Sequence, residues 1–454
     1  MKNFLICGFI SLCILTSCKE ELPKEIRNFQ DIEKSLLTEF ILAEDGDTIE
    51  IDKGQFLFKR SLILDNKKNM VIRGKGIDQT ILSFKGQEEG AEGIKITNCT
   101  NIVIENLTVE DAAGDNIKVM ETEGITFRNV KVSWTGGPKT TNGAYGLYPV
   151  ICKNVLIEKC IATGASDAGI YVGQSDHVVI RENKIYKNVA GIESENSKYV
   201  DIYNNEARDN TGGILVFDLP ALTQYGNHVR VFNNKIIENN HRNFAPPGNI
   251  VAVTPAGTGI LVLATEKVEI FNNQIINNKT AGTAIISYHL INAISTEEES
   301  ENEKNKESER GTTQKINRKF EEDKNYNPYS RAIYIHDNQY ENKYWLPSLK
   351  SDFGKLFVWK FGFNTPDIIV DGIEDPDGKH DDGTIKADYS FCFQNNGNAT
   401  FANLDAGNDF KNLHQDMSKY DCSRPPIKAV QLNPYPNLEK DEKSVDEENI
   451  EIKI

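Results

Sequence analysis

The chain has 454 residues, 39% of them apolar, and a formal charge of −16. That is enough apolar material for a large core, and the wrong sign for nucleic acid or an anionic membrane surface as the main partner. Part of the acidity is local: Ser295 to Arg310 and the tail from Leu438 are charge-rich and poor in core formers, so they read as solvated, disordered segments.

The N-terminus reads as an address. Lys2 precedes an apolar run, Phe4 to Leu15, too short to span a bilayer as a helix. Thr16 and Ser17 before Cys18 resemble a bacterial lipoprotein signal, which implies cleavage after residue 17, a lipid on the Cys18 thiol and an anchored place in the cell envelope, periplasmic or on the outer-membrane surface. Residues 18–46 then form a linker and a cap: Ile26, Phe29, Ile32, Leu36, Leu37 and Phe40 recur at helical spacing, as an amphipathic helix covering a first coil would.

From 47 to 342 the chain repeats itself. "VRVFNNKIIENN" at Val229 returns as "VEIFNNQIINN" at Val268, and Ile104, Phe127, Ile157, Ile180, Ile202, Val231, Ile270 and Ile335 share one slot, with shortest spacings of 22 and 23 residues. Each unit has an alternating stretch, a turn and a second short apolar strand, and a unit that small buries its apolar face only by stacking. Asn183, Asn205, Asn234, Asn273 and Asn338 recur three residues after the aliphatic, the positions of a buried amide ladder.

These repeats resemble the right-handed parallel β-helix proteins, among them pectate lyases, polysaccharide lyases and alginate epimerases. The resemblance implies an all-β, single-stranded right-handed parallel β-helix, a solenoid with an N-terminal helical cap and a C-terminal cap region. "GASDAGIYVGQS", "NTGGILVFDLP" and "CFQNNGNATFANLD" resemble, more narrowly, a group of bacterial β-helix lipoproteins, a likeness that carries no activity. Residues 343–425, rich in aromatics (Trp345, Phe353, Phe357, Trp359, Phe361, Phe363), read as the C-terminal cap, and 426–454 as a charged tail. Cys392 and Cys422 are spaced to form one disulfide; Cys99, Cys152 and Cys160 sit at apolar strand positions, as buried free thiols do.

Four coils carry insertions, the usual binding material of a solenoid. One holds Lys139, Tyr145 and Tyr148, another Asp218, Tyr225 and His228. Aligned second strands give a column, Lys118, Tyr148, Tyr171, Glu193, Leu215 and Leu261, which alternation points outward. Rings interleaved with charges suit an extended sugar polymer; a solvated β face with Tyr chosen for strand propensity is the plain alternative. For lysis or epimerisation of a uronic acid polymer, Lys139 would bind the carboxylate, Tyr145 or Tyr148 would act as base or acid with a pKa lowered by that lysine, and Asp167 would position them. "YGLYPV" resembles the Tyr-Gly-x-Asp-Pro-His signature of β-helix alginate epimerases but departs from it at Tyr148 and Val150. Lys118, Tyr171, Glu193 and Asp218 would line the substrate face, and Asp167, Glu193 and Asp218 offer carboxylates for hydrolysis.

No zinc or haem pattern occurs, and no metal ligand set is assigned. The aspartates of "DGIEDPDGKHDDG" from Asp371 invite calcium but miss the EF-hand spacing, which favours an acidic turn. No cofactor is expected. Two functions remain open: a lipid-anchored protein that binds or processes polysaccharide, and a non-catalytic surface scaffold that docks a partner protein.

Overall fold

The computed structural model describes residues 27–294, 316–317, 319–349, 352–362 and 365–433. The signal segment, Cys18, Ile26, Phe363, the insertion from 295 to 315 and the tail from 434 lie outside the described residues.

Strand pairing follows the repeat. The second strands of the coils form an 11-stranded sheet and the other strands a 19-stranded one. The ladders run parallel: in the central coils Val155 pairs with Val178, Val178 with Val200, and Ile214 with Ile260, each in the same direction along the chain. The shared slot is a real column: Ile104 pairs with Phe127, Phe127 with Ile157, and so on through Ile180, Ile202, Val231 and Ile270 to Ile335. All eight are fully buried in one axial core. The helix Glu33–Leu42 buries Leu36 and Phe40 against that core, with Ile32 and Leu37 packed beside them, so it caps the first coils.

The paired Asn has two separate jobs. Asn204, Asn233 and Asn272 take left-handed backbone angles (φ 54°, 55° and 54°) at the corner, a conformation Asn tolerates better than other side-chain-bearing residues. The next residue forms the ladder: in Asn183, Asn205, Asn234, Asn273 and Asn338 each side-chain oxygen accepts from the neighbouring coil, and each side-chain amide donates onward. Asn396 extends that ladder. A second ladder, Asn188, Asn210, Asn239 and Asn278, runs at the following corner, five residues on from the first.

Three expectations for the C-terminal part need correcting. Strands Ile368–Val370, Phe391–Gln394 and Phe401–Asn403 continue both sheets, so 343–425 is partly solenoid. Phe357 is buried, but Trp345 and Trp359 are exposed. Residues 426–433, expected in a charged tail, lie against the solenoid through hydrogen bonds to Asn154, Asp201 and Glu269. Cys392 and Cys422 form a disulfide, and Cys99, Cys152 and Cys160 are buried free thiols.

The ladder makes a sharp prediction at Asn234. Its truncation to Ala strands the carbonyl of Ile202 and the backbone and side-chain amides of Asn205, while the side-chain oxygen of Asn273 keeps only the backbone amide of residue 234. Asn234→Ala should lower the free energy of unfolding by about 2–4 kcal/mol in urea titrations. A loss under about 1 kcal/mol, typical of a surface substitution, would contradict the ladder.

Candidate functional site

The predicted outward column exists. Lys118 pairs with Tyr148, and Tyr171 with Glu193, which pairs in turn with Leu215 and Leu215 with Leu261. A second outward column beside it runs through Gly173, Glu195, Phe217 and Leu263. Both point away from the axial core, yet neither is the solvated groove expected of them. Tyr148, Tyr171, Glu193, Leu215 and Leu261 are all buried. The cause is the insertions, which fold back over the sheet; of the stretch near 295–325 expected to be disordered, residues 319–325 take part, with Phe320 buried. The short helix Tyr288–Ile294, Ile250 and Val251, and Phe320 and Tyr326 close over Leu215, Phe217, Leu261 and Leu263 in a second apolar cluster.

At the N-terminal end of this cover the three tyrosines pack together. Tyr145 lies 4.5 Å from both Tyr148 and Tyr171, and Tyr148 meets Tyr171 edge-on at 4.9 Å between ring centroids. Tyr171 leans over Gly173, where an added Cβ would stand 2.2 Å from its hydroxyl oxygen. That glycine lets Tyr171 donate to Glu195 Oε1 at 2.9 Å. The Lys118 ammonium sits 4.9 Å over the Tyr148 ring and 3.9 Å from Glu92.

Around the rings stand buried carboxyls. Asp167 and Glu193 contact each other, and Asp167 also touches the Tyr145 hydroxyl. Burial pushes both carboxyls up, and the charge of Asp167 pushes Glu193 further. Among the described residues neither side-chain oxygen of Asp167 has a partner at hydrogen-bonding geometry. Burial also raises Asp115 to about 7, against the pull of Lys118, and Glu195 to about 8. Asp115 Oδ1 accepts the Tyr145 amide at 3.2 Å while Oδ2 has no partner among the described residues.

Other expected roles fail here. Lys139 is exposed on its turn, its ammonium folded back over Gly136, and it is not beside the tyrosines. Burial and neighbouring carboxylates raise Tyr145 and Tyr148, opposite to the lowering a tyrosine base needs. Asp218 is buried and takes the Gly226 amide on both oxygens at 2.9 Å, so it closes its own loop; burial raises it to about 8. Lys118 takes the place meant for Lys139. Asp167 and Glu193 lie side by side, whereas Asp218 is turned to its own loop.

Asp115 and Glu195 were missed. Glu195 was legible, two residues beyond Glu193 on the same strand face; Asp115 sits at a corner, where alternation gives no direction. In the Asp371 to Gly383 loop the aspartates are spent on turns: Asp371 accepts the Ser287 and Ile373 amides, Asp375 that of Asp377 and Asp382 that of Thr384. Among the described residues no three His, Cys, Asp or Glu side chains converge as a metal ion would need.

The tyrosine and carboxyl cluster itself is buried, and the exposed part of the same sheet lies toward the N-terminal coils. Ile63, Arg60 and Asp65 are exposed on the strand Arg60–Asp65, and Lys95 is half-buried on Glu89–Thr97. The register runs from Ile63 through Lys95 to Lys118. An uncovered strip of sheet therefore ends at Lys118 and the tyrosines.

A family model described as "Right handed beta helix region" matches residues 69–221 and 125–295. The A-module of mannuronan C-5 epimerase AlgE4 from Azotobacter vinelandii is 14% identical, with 82% of this chain and 92% of that one covered at a TM-score of 0.45. A family 28 exopolygalacturonase from Yersinia enterocolitica is 10% identical over 69% of each chain, also at 0.45. An N-terminal fragment of bacteriophage Phi29 gene product 12 is 13% identical over 78% of this chain and 65% of that one, at 0.38. No curated protein matches the sequence.

The raised carboxyls fix a pH dependence. A group with a raised folded pKa favours folding below its unfolded value and loses that contribution as pH climbs through the folded one. For Glu195 the window runs from 4.5 to about 8. Glu195→Gln keeps an acceptor for Tyr171 and removes the charge, so its melting temperature relative to the native chain should rise by several degrees between pH 5 and pH 8. Parallel melting profiles across that range would contradict the buried charge.

Proposed function

The chain belongs to the right-handed β-helix family, and from that premise we propose that it is a lipid-anchored envelope protein that binds and processes acidic, uronic acid containing polysaccharide at the end of the open strip. One observation carries this reading: the buried carboxyls of Asp115, Asp167 and Glu193, left without full hydrogen bonding, with the Lys118 ammonium acting on Asp115 and Asp115 acting in turn on Asp167. A buried carboxyl so placed is costly, and such groups are kept chiefly where chemistry uses them. The anchor is supported by the sequence around Cys18.

Lys95 and Lys118 offer two cations in one column to the carboxylates of a sugar chain lying along the strip. At Lys118 the sugar carboxylate is neutralised, which acidifies the adjacent C–H. The Asp167 and Glu193 pair can take that proton and return one, as elimination or epimerisation requires. The Tyr145, Tyr148 and Tyr171 rings supply an apolar wall for the pyranose and stay protonated. A second reading, a scaffold that docks a partner protein, is favoured by the polypeptide segment on another face, described below.

The test is incubation of the purified mature chain with acidic and neutral polysaccharides, following both binding and unsaturated or epimerised products. We expect turnover of a uronate polymer that falls at least about 10²-fold in Asp167→Asn and Glu193→Gln, and weakened binding in Lys118→Ala. Folded native protein without binding or turnover on the whole panel, or variants that gain stability with undiminished turnover, would sink the reading.

A further inference from the structure

Beyond the disulfide at Cys422 the chain turns back along the outside of the 19-stranded sheet. Arg424 Nη1 bonds Ser390 Oγ at 2.8 Å. The Ile427 amide donates to Glu269 Oε2 at 2.8 Å, and the Val430 amide to Asp201 Oδ2 at 3.0 Å. Asn433 exchanges two 2.8 Å bonds with the side chain of Asn154. Glu269, Arg230 and Asp201 occupy successive coils, as do Asp201, Val179 and Leu156, the last in the coil of Asn154. The segment thus touches down once every three residues and once every two coils.

That match is geometric. Polyproline II advances about 3.1 Å per residue and repeats every three, so one repeat is about 9.3 Å. Two rungs of a parallel sheet span about 9.6 Å. Burial follows the same period from Arg424 to Val430, with Arg424, Ile427 and Val430 half-buried and Pro425, Pro426, Lys428 and Ala429 exposed; beyond it Leu432 is half-buried and the exposed Asn433 is held by its hydrogen bonds alone. Leu156 and Val179, outward members of the same column, supply an apolar floor between the anchor points. The segment adds no strand to either sheet, so it can leave without breaking a ladder.

We propose that this face is a recognition site for proline-rich polyproline II peptides with an aliphatic residue and a free amide at every third position. Residues 424–433 are its ligand in cis, and a partner protein presenting a segment of the same chemistry is its ligand in trans. Glu269, Asp201 and Asn154 read the spacing of the amides, and Leu156 and Val179 the aliphatic side chains. The inference is independent of the polysaccharide reading, because it concerns a different face.

Proline at 427 and 430 suits the conformation, deletes the two donating amides and also replaces the Ile427 and Val430 side chains, so both parts of the recognition are removed from the tethered segment together. In the full chain carrying Ile427→Pro and Val430→Pro, folded by circular dichroism, trypsin should cut after Lys428 about tenfold faster than in the native chain, as the loss of two amide bonds to charged acceptors requires. A fluorescein-labelled peptide, SRPPIKAVQLN, should then bind this variant about tenfold or more tighter than the native chain, whose site is filled. Asn154→Ala in the variant should weaken that binding. A released segment with no peptide binding, equal binding by native and variant chains, or a segment that stays protected without its amides would each overturn the proposal.

Discussion

Stacking coils in parallel register sets like position above like position, about 4.8 Å apart, along the whole solenoid. Every column must therefore be compatible with itself. The outward column from Glu50 shows what this demands. It alternates acid and base through Arg73, Glu105, Arg128, Glu158 and Arg181, then changes to rings at Tyr203, Phe232, Phe271 and His336. Burial pushes Glu158 up, but Arg128 at 2.6 Å and Arg181 at 2.6 Å pull it back below the ordinary carboxylate value. The rings stack face to face, with centroids 4.8, 4.8 and 5.2 Å apart. Stacked that way they offer edges to the outside and no platform for a sugar face.

The carboxyl cluster breaks the same rule. Glu193 stands between Tyr171 and Leu215 in its column, and Glu195 between Gly173 and Phe217. No arginine alternates with either. Glu158 and Glu193 are both buried glutamates on outward strand faces, yet one is held charged by two guanidiniums and the other is pushed toward its neutral form. Because the fold evidently has a means of satisfying a buried glutamate, its omission around Asp167 and Glu193 marks a place where local stability is given up.

Whatever repeats was legible in the sequence. The core slot, the first Asn ladder and the outward column from Lys118 to Leu261 all follow from period and alternation, which fix direction relative to the sheet. Alternation says nothing of what lies beyond the sheet. The residues that close over Leu215, Phe217, Leu261 and Leu263 are Ile250, Tyr288, Phe320, Tyr326 and their neighbours, each in an insertion without a counterpart in other coils. Lys139 failed for the same reason, since its place depends on how one unrepeated turn folds. The C-terminal segment was hidden differently: the acidic composition from Leu438 coloured the reading of the proline-bearing residues before it, whose period of three becomes meaningful only beside rungs spaced to match.

The sheet also separates the two largest apolar clusters, with a small third one of Ala281, Phe357, Ile369 and Leu404 beside them. One cluster fills the axis from Leu36 to Tyr420, and the other lies outside the 11-stranded sheet beneath the insertions. The axial cluster is made of interdigitated columns secured by ladders, whereas the outer one joins unrelated loops over Leu215 and Leu261 and leaves a cavity of about 40 Å³ lined by Phe217, Ile250, Val251, Leu263, Ile291 and Phe357. A void that size forfeits contacts on both of its walls, so the outer cover adheres less firmly than the core beneath it. The unsatisfied carboxyls lie on the outer face, under this cover. Their cost falls on the cover and leaves the axial core intact, which lets a rigid solenoid carry a strained, solvent-excluded site on its surface.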